Sequence, residues 1–369
     1  MTPVTYGVLD LAALRHNLAR VRTLGGRARV LAVIKANAYG HGLITVAKAL
    51  ASADALAVAR VHEAIELKQA GITSRIVVLE GFSSVDELNL LITHDIEAVV
   101  HNNQQITWLE NCSEIDAITV WLKLDTGMNR LGFCASNFQA SYQCLSDCSV
   151  VRAKIILMTH LANADLIGDA MTTRQINRFN SAVDGLNGEK SIANSAGILA
   201  WKDSCVDWVR PGCMLFGVSP FSDKDSCFFN LKPVMGFYSR LIAVKRVQKG
   251  EAIGYGGQWR CKKATLLGVV GAGYGDGYPH HVPSGTPVLV NDIRVPLIGR
   301  VSMDMLTVDL ADCPSAVVGD PVTLWGVQSL LVEEIAKYAN TIPYTLLCGI
   351  TQRVLFLKNV DNALSINDG

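Results

Sequence analysis

The sequence predicts two folds in series: a (β/α)8 TIM-type barrel over residues 1–235, then a mostly antiparallel β domain over residues 236–369. Three observations predict it. Short Val-, Ile- and Leu-rich runs alternate with longer segments of helical spacing about eight times. Most of those runs are apolar at successive positions, as strands buried on both faces should be. Near residue 235 the rhythm changes to β-branched runs that follow one another directly. A chain of 369 residues has room for a barrel of about 250 residues and a smaller partner.

The elements follow in order. Residues 9–24 (LDLAALRHNLARVRTL) have the spacing of a leading helix, with Asp10 as its N-cap. The strand-like runs are 30–36, 55–60, 76–80, 97–101, 120–125, 154–160, 191–195 and 206–210. Between them, segments such as 42–51, 61–71, 85–94 and 172–186 place apolar residues three and four apart. Past Gly236, strands are expected at 241–247, 266–271, 288–290, 294–298, 305–310, 322–325 and 353–356. Asn291-Asp292 between two of them predicts a tight hairpin. A helix is expected at 331–339, and the absence of a long linker predicts docked domains.

Composition excludes several classes. With 50% hydrophobic residues the chain can bury enough surface to offset its ordering entropy, so disorder is excluded. Lys+Arg and Asp+Glu balance at 33 each, so no basic excess exists to displace counterions from nucleic acid. No apolar run approaches the ~18 residues of a membrane span. The opening MTPVTYGVLDLAALRHN lacks a basic segment followed by an apolar one, so no secretory leader is expected. The ten cysteines are scattered with no C-x-x-C pair, which suits free thiols in a reducing, cytoplasmic location. No metal site is expected.

In a barrel, function sits at the carboxyl ends of the strands. Here those ends carry Lys35 (AVIKANAYGHG), then Lys123, Asp125 and Arg130 (KLDTGMNRLG), His160 (MTHLANAD), Asn194-Ser195 (SIANSAG) and Arg210 (VRPGCMLFG). A lysine closing an apolar strand either costs several kcal/mol as a charge or has a lowered pKa. A lysine of lowered pKa can form a Schiff base. Ser195 before a glycine turn, and Arg210-Pro-Gly after the eighth strand, suit an anion pocket of backbone N–H groups. Together these suggest pyridoxal phosphate, with an aldolase acting on a phosphorylated sugar as the alternative. GVVGAGYGDGYP looks like a dinucleotide loop, but Asp276 stands where the third glycine is needed and Pro279 follows, so a turn is expected.

At this point the sequence resembles a known family. AVIKANAYGHG, KLDTGMNRLG, VRPG, AIGYGGQW, GYGDGYP, GRVSMDM and TIPY match, in order from Lys35 to Tyr344, the pattern of alanine racemases, which are fold-type III pyridoxal-phosphate enzymes. The resemblance implies pyridoxal 5'-phosphate-dependent interconversion of L- and D-alanine, serving either D-alanine supply for the cell wall or alanine breakdown, and a homodimer with composite sites. It implies that Lys35 holds the cofactor and is one base, and that Tyr255 is the other, reaching the partner subunit's site. Arg210 is implied to face the pyridine nitrogen, His160 to buttress Arg210, and Arg130 to contact the cofactor's phenolic oxygen and the substrate carboxylate. Tyr39, Ser195, Gly212, Cys213 and Tyr344 match phosphate-binding positions, and Met303 matches one whose backbone N–H helps hold the substrate carboxylate from the other subunit. Lys123 matches a lysine that is often carbamylated and orients Arg130.

The chemistry of this set is coherent. Racemisation removes the Cα proton and returns it from the opposite face, so one base on each face suffices. An arginine at the pyridine nitrogen does not give up its proton, which weakens the electron sink and suppresses side reactions. The chain departs from the family's usual pattern at His280, Phe216, Thr345 and the closing RVLF. Those departures leave open a broader specificity that includes serine. A non-enzymatic cofactor-binding protein would lack the β domain, and a decarboxylase would place a carboxylate where Arg210 stands.

Overall fold

The computed structural model describes residues 3–113 and 116–358. Its chain groups into two compact units: Arg15–Leu215 with Ser219–Asn230, and Met1–Leu14 with Phe216–Val218 and Leu231–Gly369. The first strand, β1 (Tyr6–Leu9), belongs to the second of these units.

The first unit contains a closed barrel of eight parallel strands. They are β2 (Arg29–Val33), β3 (Ala55–Val58), β4 (Ile76–Val78), β5 (Glu97–Val100), β6 (Val120–Lys123), β7 (Ile156–Met158), β8 (Glu189–Ser191) and β9 (Trp208–Val209). Closure comes from β2 pairing β9, with Arg29 opposite Trp208 and Val30 opposite Val209. Leu31, Val33, Ala55, Ala57, Val77, Val99, Trp121, Ile156, Met158 and Trp208 form one buried cluster. Their spacing of two along each strand puts them on one face, the barrel interior. The residues between them, such as Ala32, Leu56 and Ala98, are also fully buried. This is why the runs read as continuously apolar.

Two indoles, Trp121 and Trp208, meet edge to face at 5.4 Å near the amino-terminal ends of the strands. Each donates its N–H over 2.7 Å to a carboxylate at the start of a strand: Glu97 for Trp121 and Glu189 for Trp208. The Arg29 guanidinium lies 4.2 Å over the Trp208 ring. The end of the barrel away from the functional mouth is thus filled and satisfied. Two of the barrel helices start on side-chain caps at Ser84 and Asn102, whose side chains accept the N–H of Glu87 and Gln105.

The second unit is built on an eight-stranded sheet. Its other strands are β10 (Met235–Val247), β13 (Thr265–Val270), β14 (Pro287–Val290), β15 (Ile293–Pro296), β16 (Leu306–Asp309), β17 (Pro321–Trp325) and β18 (Leu355–Lys358). A separate two-stranded ribbon joins β11 (Ala252–Ile253) to β12 (Trp259–Arg260). All pairings are antiparallel except β1 with β18. Asn291 and Asp292 both have positive φ, 49° and 61°, and close the two-residue hairpin between β14 and β15. The expected helix appears as Val332–Tyr338.

The structure differs from the sequence reading in four places. The amino-terminal segment is not part of the barrel unit. Tyr6–Leu9 is a strand between β10 and β18, and the helix begins only at Leu11, with Asp10 Oδ1 accepting the Ala13 N–H at 2.8 Å. The seventh barrel strand is Glu189–Ser191 rather than 191–195, because Asn194 caps the next helix by accepting the Gly197 N–H at 2.9 Å. A helix at Pro343–Cys348, with proline in its first turn, has no counterpart among the expected elements. The closing strand runs from Leu355 to Lys358, so Arg353 precedes it.

Candidate active site

The barrel mouth is built by the segments that leave the strands. Lys35 follows β2 by one residue and opens a turn of unusual hand. Ala36, Asn37, Ala38 and Tyr39 have φ of 55°, 52°, 54° and 52°. Four consecutive non-glycine residues in the left-handed region cost roughly 4–8 kcal/mol together. Local bonds hold them: Ala38 N–H to Ile34 O at 2.9 Å, Gly42 N–H to Asn37 O at 3.0 Å, and Leu43 N–H to Asn37 Oδ1 at 2.8 Å. His41 Nδ1–H points at the Ala38 and Tyr39 carbonyls, 3.0 and 2.9 Å away. Its ring is fully buried, and burial pushes its pKa down to about 4, so the imidazole is neutral.

Cations converge on this mouth. Lys123, at the end of β6, is 7% exposed. Burial first, then Arg210 and Arg130, push its pKa down to about 8; Asp125 opposes the shift, and Lys35 adds to it. Asp125 Oδ1 accepts the N–H of Gly127 at 2.8 Å and of Asn129 at 3.1 Å, shaping the loop that carries Arg130. Gly132 is required there: φ is 131°, and a Cβ would stand 2.6 Å from the Asp125 nitrogen.

Arg210 is 3% exposed and donates to Ser191 Oγ at 2.7 Å, to the Thr159 carbonyl, to the Ile192 carbonyl at 3.3 Å and to His160 Nδ1 at 3.4 Å. Burial lowers its pKa to about 10, which leaves it a cation at neutral pH. Burial, then Arg210, Lys123, Arg130 and Lys35, hold the His160 imidazole well below its ordinary range. The ring is therefore a neutral acceptor for Arg210. Gln175 holds this wall, donating to the His160 carbonyl and to Thr126 Oγ1, both at 3.0 Å, and accepting the Ala162 N–H at 2.8 Å.

After β8 and β9 the mouth presents hydroxyls and amides. Ser195 Oγ accepts the N–H of Gly212 at 2.9 Å and of Met214 at 3.4 Å. Tyr39 lies against Gly212, where a Cβ would stand 2.5 Å from the phenol oxygen. Cys213 begins the short turn Cys213–Phe216. Lys35, Tyr39, Lys123, Arg130, His160, Ser195, Arg210, Gly212 and Cys213 therefore all lie in the barrel unit.

Tyr255, Met303 and Tyr344 lie in the other unit. Tyr255 stands at the tip of the β11–β12 ribbon, 71% exposed, between Gly254 and Gly256, both at positive φ. Met303 is 52% exposed, and its carbonyl accepts the Gly275 N–H at 2.8 Å. The glycine cluster is a turn, as expected, with buried Asp276 accepting the Gly273 N–H at 2.9 Å. The Arg300 backbone lies 3.6 Å from where a Cβ on Gly254 would be, so the segment leading to Met303 borders the Tyr255 tip. A cleft of about 520 Å3 beside it is lined by Lys245, Arg246, Gly254, Arg300 and Met305, among others. Tyr344 is half-buried on the Pro343–Cys348 helix.

Fold and site together define an enzyme built as a parallel barrel with a lysine at its mouth and an attached β domain. The chain belongs to the alanine racemase family: residues 9–220 match the alanine racemase N-terminal domain and residues 234–357 the C-terminal domain. It is 46% identical to the alanine racemase of Shewanella denitrificans over 96% of this chain and 98% of that one. It is 47% identical to that of Vibrio atlanticus over 94% and 96%. Among solved structures, the biosynthetic alanine racemase of Pseudomonas aeruginosa superimposes with a TM-score of 0.94 at 39% identity, over 97% of this chain and 100% of that one. The alanine racemase of Acinetobacter baumannii gives 0.91 at 34%, over the same shares.

Gln175, His41 and Glu63 were not singled out from the sequence. Each sits among helix or turn residues of ordinary composition. The one available signal was a glutamate three residues into a helix, which marks a cap rather than a site.

Proposed function

We propose that this protein interconverts L- and D-alanine using pyridoxal 5'-phosphate at the barrel mouth, with Lys35 and the partner subunit's Tyr255 as the two bases. The observation that carries this reading is the convergence of Lys35, Lys123, Arg130 and Arg210 on one mouth, each close enough to depress the His160 ring. Basic side chains gathered at one mouth suit an anionic ligand, a phosphorylated group joined to an amino-acid carboxylate.

The residues present fit that cofactor. The Tyr39 phenol against bare Gly212, with Ser195 Oγ at the Gly212 N–H and Cys213 next in the chain, makes a cradle that a Cβ at 212 would fill. These residues and Tyr344 would hold the phosphate, and Lys35 would hold the ring's carbonyl carbon. When bound, the cofactor supplies an electron sink that acidifies the substrate's Cα–H. Lys35 Nζ takes or returns that proton on one face, and Tyr255 Oη on the other. Arg210 stays protonated and offers the ring nitrogen a hydrogen bond rather than a proton. Arg130 and the backbone N–H of the partner subunit's Met303 would hold the substrate carboxylate.

With its pKa near 8, Lys123 is neutral in roughly one molecule in ten at pH 7. The neutral amine adds carbon dioxide and releases a proton, which leaves an anionic carbamate between Arg130 and Arg210. The exposed cluster of Tyr255, Met303, Met305 and Tyr274 supports a homodimer, because a solvated monomer rarely leaves such side chains uncovered together. His280, one of the departures, packs edge-on against Tyr274 at 5.3 Å, beside the Met303 loop. Among the described residues no helix is long and apolar enough to cross a membrane. The ten free cysteines support a cytoplasmic location.

The test is Cα-proton exchange and chirality. With pyridoxal phosphate in heavy water, L-alanine should lose its rotation while deuterium enters Cα, and D-alanine should do the same. Cofactor binding without exchange would make the protein a cofactor-binding module; faster exchange with serine would move the substrate assignment.

A further inference from the structure

The turn that carries Lys35 is costly, and something outside it must fix its first residue. We propose that Glu63 is a positioning residue for Lys35; this rests on the reading of Lys35 as the cofactor lysine. Glu63 is 8% exposed. Its Oε2 accepts the N–H of Ala59 at 2.9 Å and of Arg60 at 3.1 Å. The Arg60 bond is what a glutamate does in a capping box, here at the start of the helix Val61–Gln69, and the Ala59 bond adds the residue before the cap. Its Oε1 does something else. It crosses to the end of the neighbouring strand and accepts the Ala36 N–H at 2.7 Å. Ala36 directly follows Lys35 and is the first of the four left-handed residues.

Glu63 thus ties the end of β3 to the residue after Lys35. The ionised carboxylate suits this because it only accepts, and both oxygens face donors. A bond to a charged acceptor is also stronger than one to a neutral acceptor. Without it, a part-buried N–H at the head of an unfavourable turn has lost its acceptor, and Ala36 is free to relax toward the right-handed region and carry Lys35 with it. Glu63 touches neither substrate nor cofactor in this account. Its role is to keep the amine aimed.

Glu63→Gln separates this role from capping. Glutamine serves a capping box as glutamate does. Its carbonyl oxygen can keep the Ala59 and Arg60 bonds, but its NH2 then meets the Ala36 N–H, donor against donor. The expected result is a melting temperature close to that of the wild type. Covalent capture of pyridoxal phosphate on Lys35, read by peptide mass after borohydride trapping, should be about tenfold slower, the factor for about 1.4 kcal/mol. Amide exchange at Ala36 should quicken as well. Wild-type capture and wild-type exchange in Glu63→Gln would make Glu63 a helix cap only and overturn the proposal. Lys35→Ala is the control: if the label still forms in full without Lys35, the lysine reading itself has failed. Should Glu63→Gln not fold, exchange at Ala36 in the wild-type holoenzyme decides. Protection like that of the β2 amides supports the tie, and exchange at the rate of an open loop refutes it.

Discussion

Gly212→Ala should damage the cofactor cradle more than the fold. The new Cβ would sit 2.5 Å from the Tyr39 phenol oxygen and 3.3 Å from Cζ. A comfortable contact needs about 3.5 Å, so the phenol must retreat by roughly 1 Å. Tyr39 packs against the barrel's interior cluster and stands on the left-handed turn, so it has little slack. Overpacking of this kind costs about 1–3 kcal/mol in a packed core. The obstructing atom is the far end of a side chain, so a value near the lower bound is expected. Pyridoxal-phosphate affinity should fall further, by about tenfold or more, if Tyr39 holds the phosphate as proposed, because its hydroxyl would be displaced. The Gly212 N–H to Ser195 bond is untouched by the change. Tyr39→Phe removes the obstructing atom and leaves Cζ at 3.3 Å, a tight but tolerable contact. The double variant should therefore be less than additive, with a coupling of about 1–2 kcal/mol, in the range for residues in contact. Urea unfolding and absorbance titration of the cofactor give the two cycles. Strictly additive losses, or an alanine at 212 with wild-type cofactor affinity, would refute the steric reasoning.

Other consequences can be measured directly. His41 has a folded pKa near 4 against an unfolded 6.5, so the unfolded chain takes up its proton first as pH falls. Stability from this group is whole above pH 6.5 and is lost progressively down to about pH 4, by about 3 kcal/mol. Urea midpoints of the wild type and His41→Gln, compared at pH 7 and pH 4.5, should show the wild type losing more; parallel losses would clear His41. The uncarbamylated Lys123 has its pKa lowered to about 8 against 10.5 unfolded, so its burial penalty is full below pH 8 and vanishes as pH rises toward 10.5. Carbamylation offers a way out of that penalty. With 13C-bicarbonate near pH 8, a carbamate carbon signal should appear and be missing in Lys123→Ala; an identical signal in both proteins would remove the assignment.

What was readable in the sequence follows from where the physics is local. The barrel strands announced themselves because both faces are buried, so Ala32 and Leu56 are as apolar as Leu31 and Ala55. The hairpin at Asn291-Asp292 was readable because two positive φ values favour those residue types. Strand β1 was hidden because its partners, β10 and β18, lie more than two hundred residues away, and its four residues run straight into a capped helix. The hand of the turn after Lys35 was invisible, since Ala-Asn-Ala-Tyr has no left-handed preference apart from its asparagine. It is imposed by Glu63, Asn37 and the strand ends. Lysine and arginine at strand ends stood out as charges in apolar surroundings. Tyr255 did not, because an exposed tyrosine between glycines carries no such contrast; only the family pattern singled it out.

In the proposed mechanism Lys35 of one chain and Tyr255 of the other act on the same substrate. Lys35→Ala and Tyr255→Phe, each nearly inactive alone, are unfolded together and refolded in equal amounts with pyridoxal phosphate. Random pairing makes half the dimers mixed, and each mixed dimer has one site with both bases, so roughly a quarter of the wild-type rate should return. A mixture no more active than the sum of its two parts, with mixed dimers shown to be present by mass, would contradict the claim.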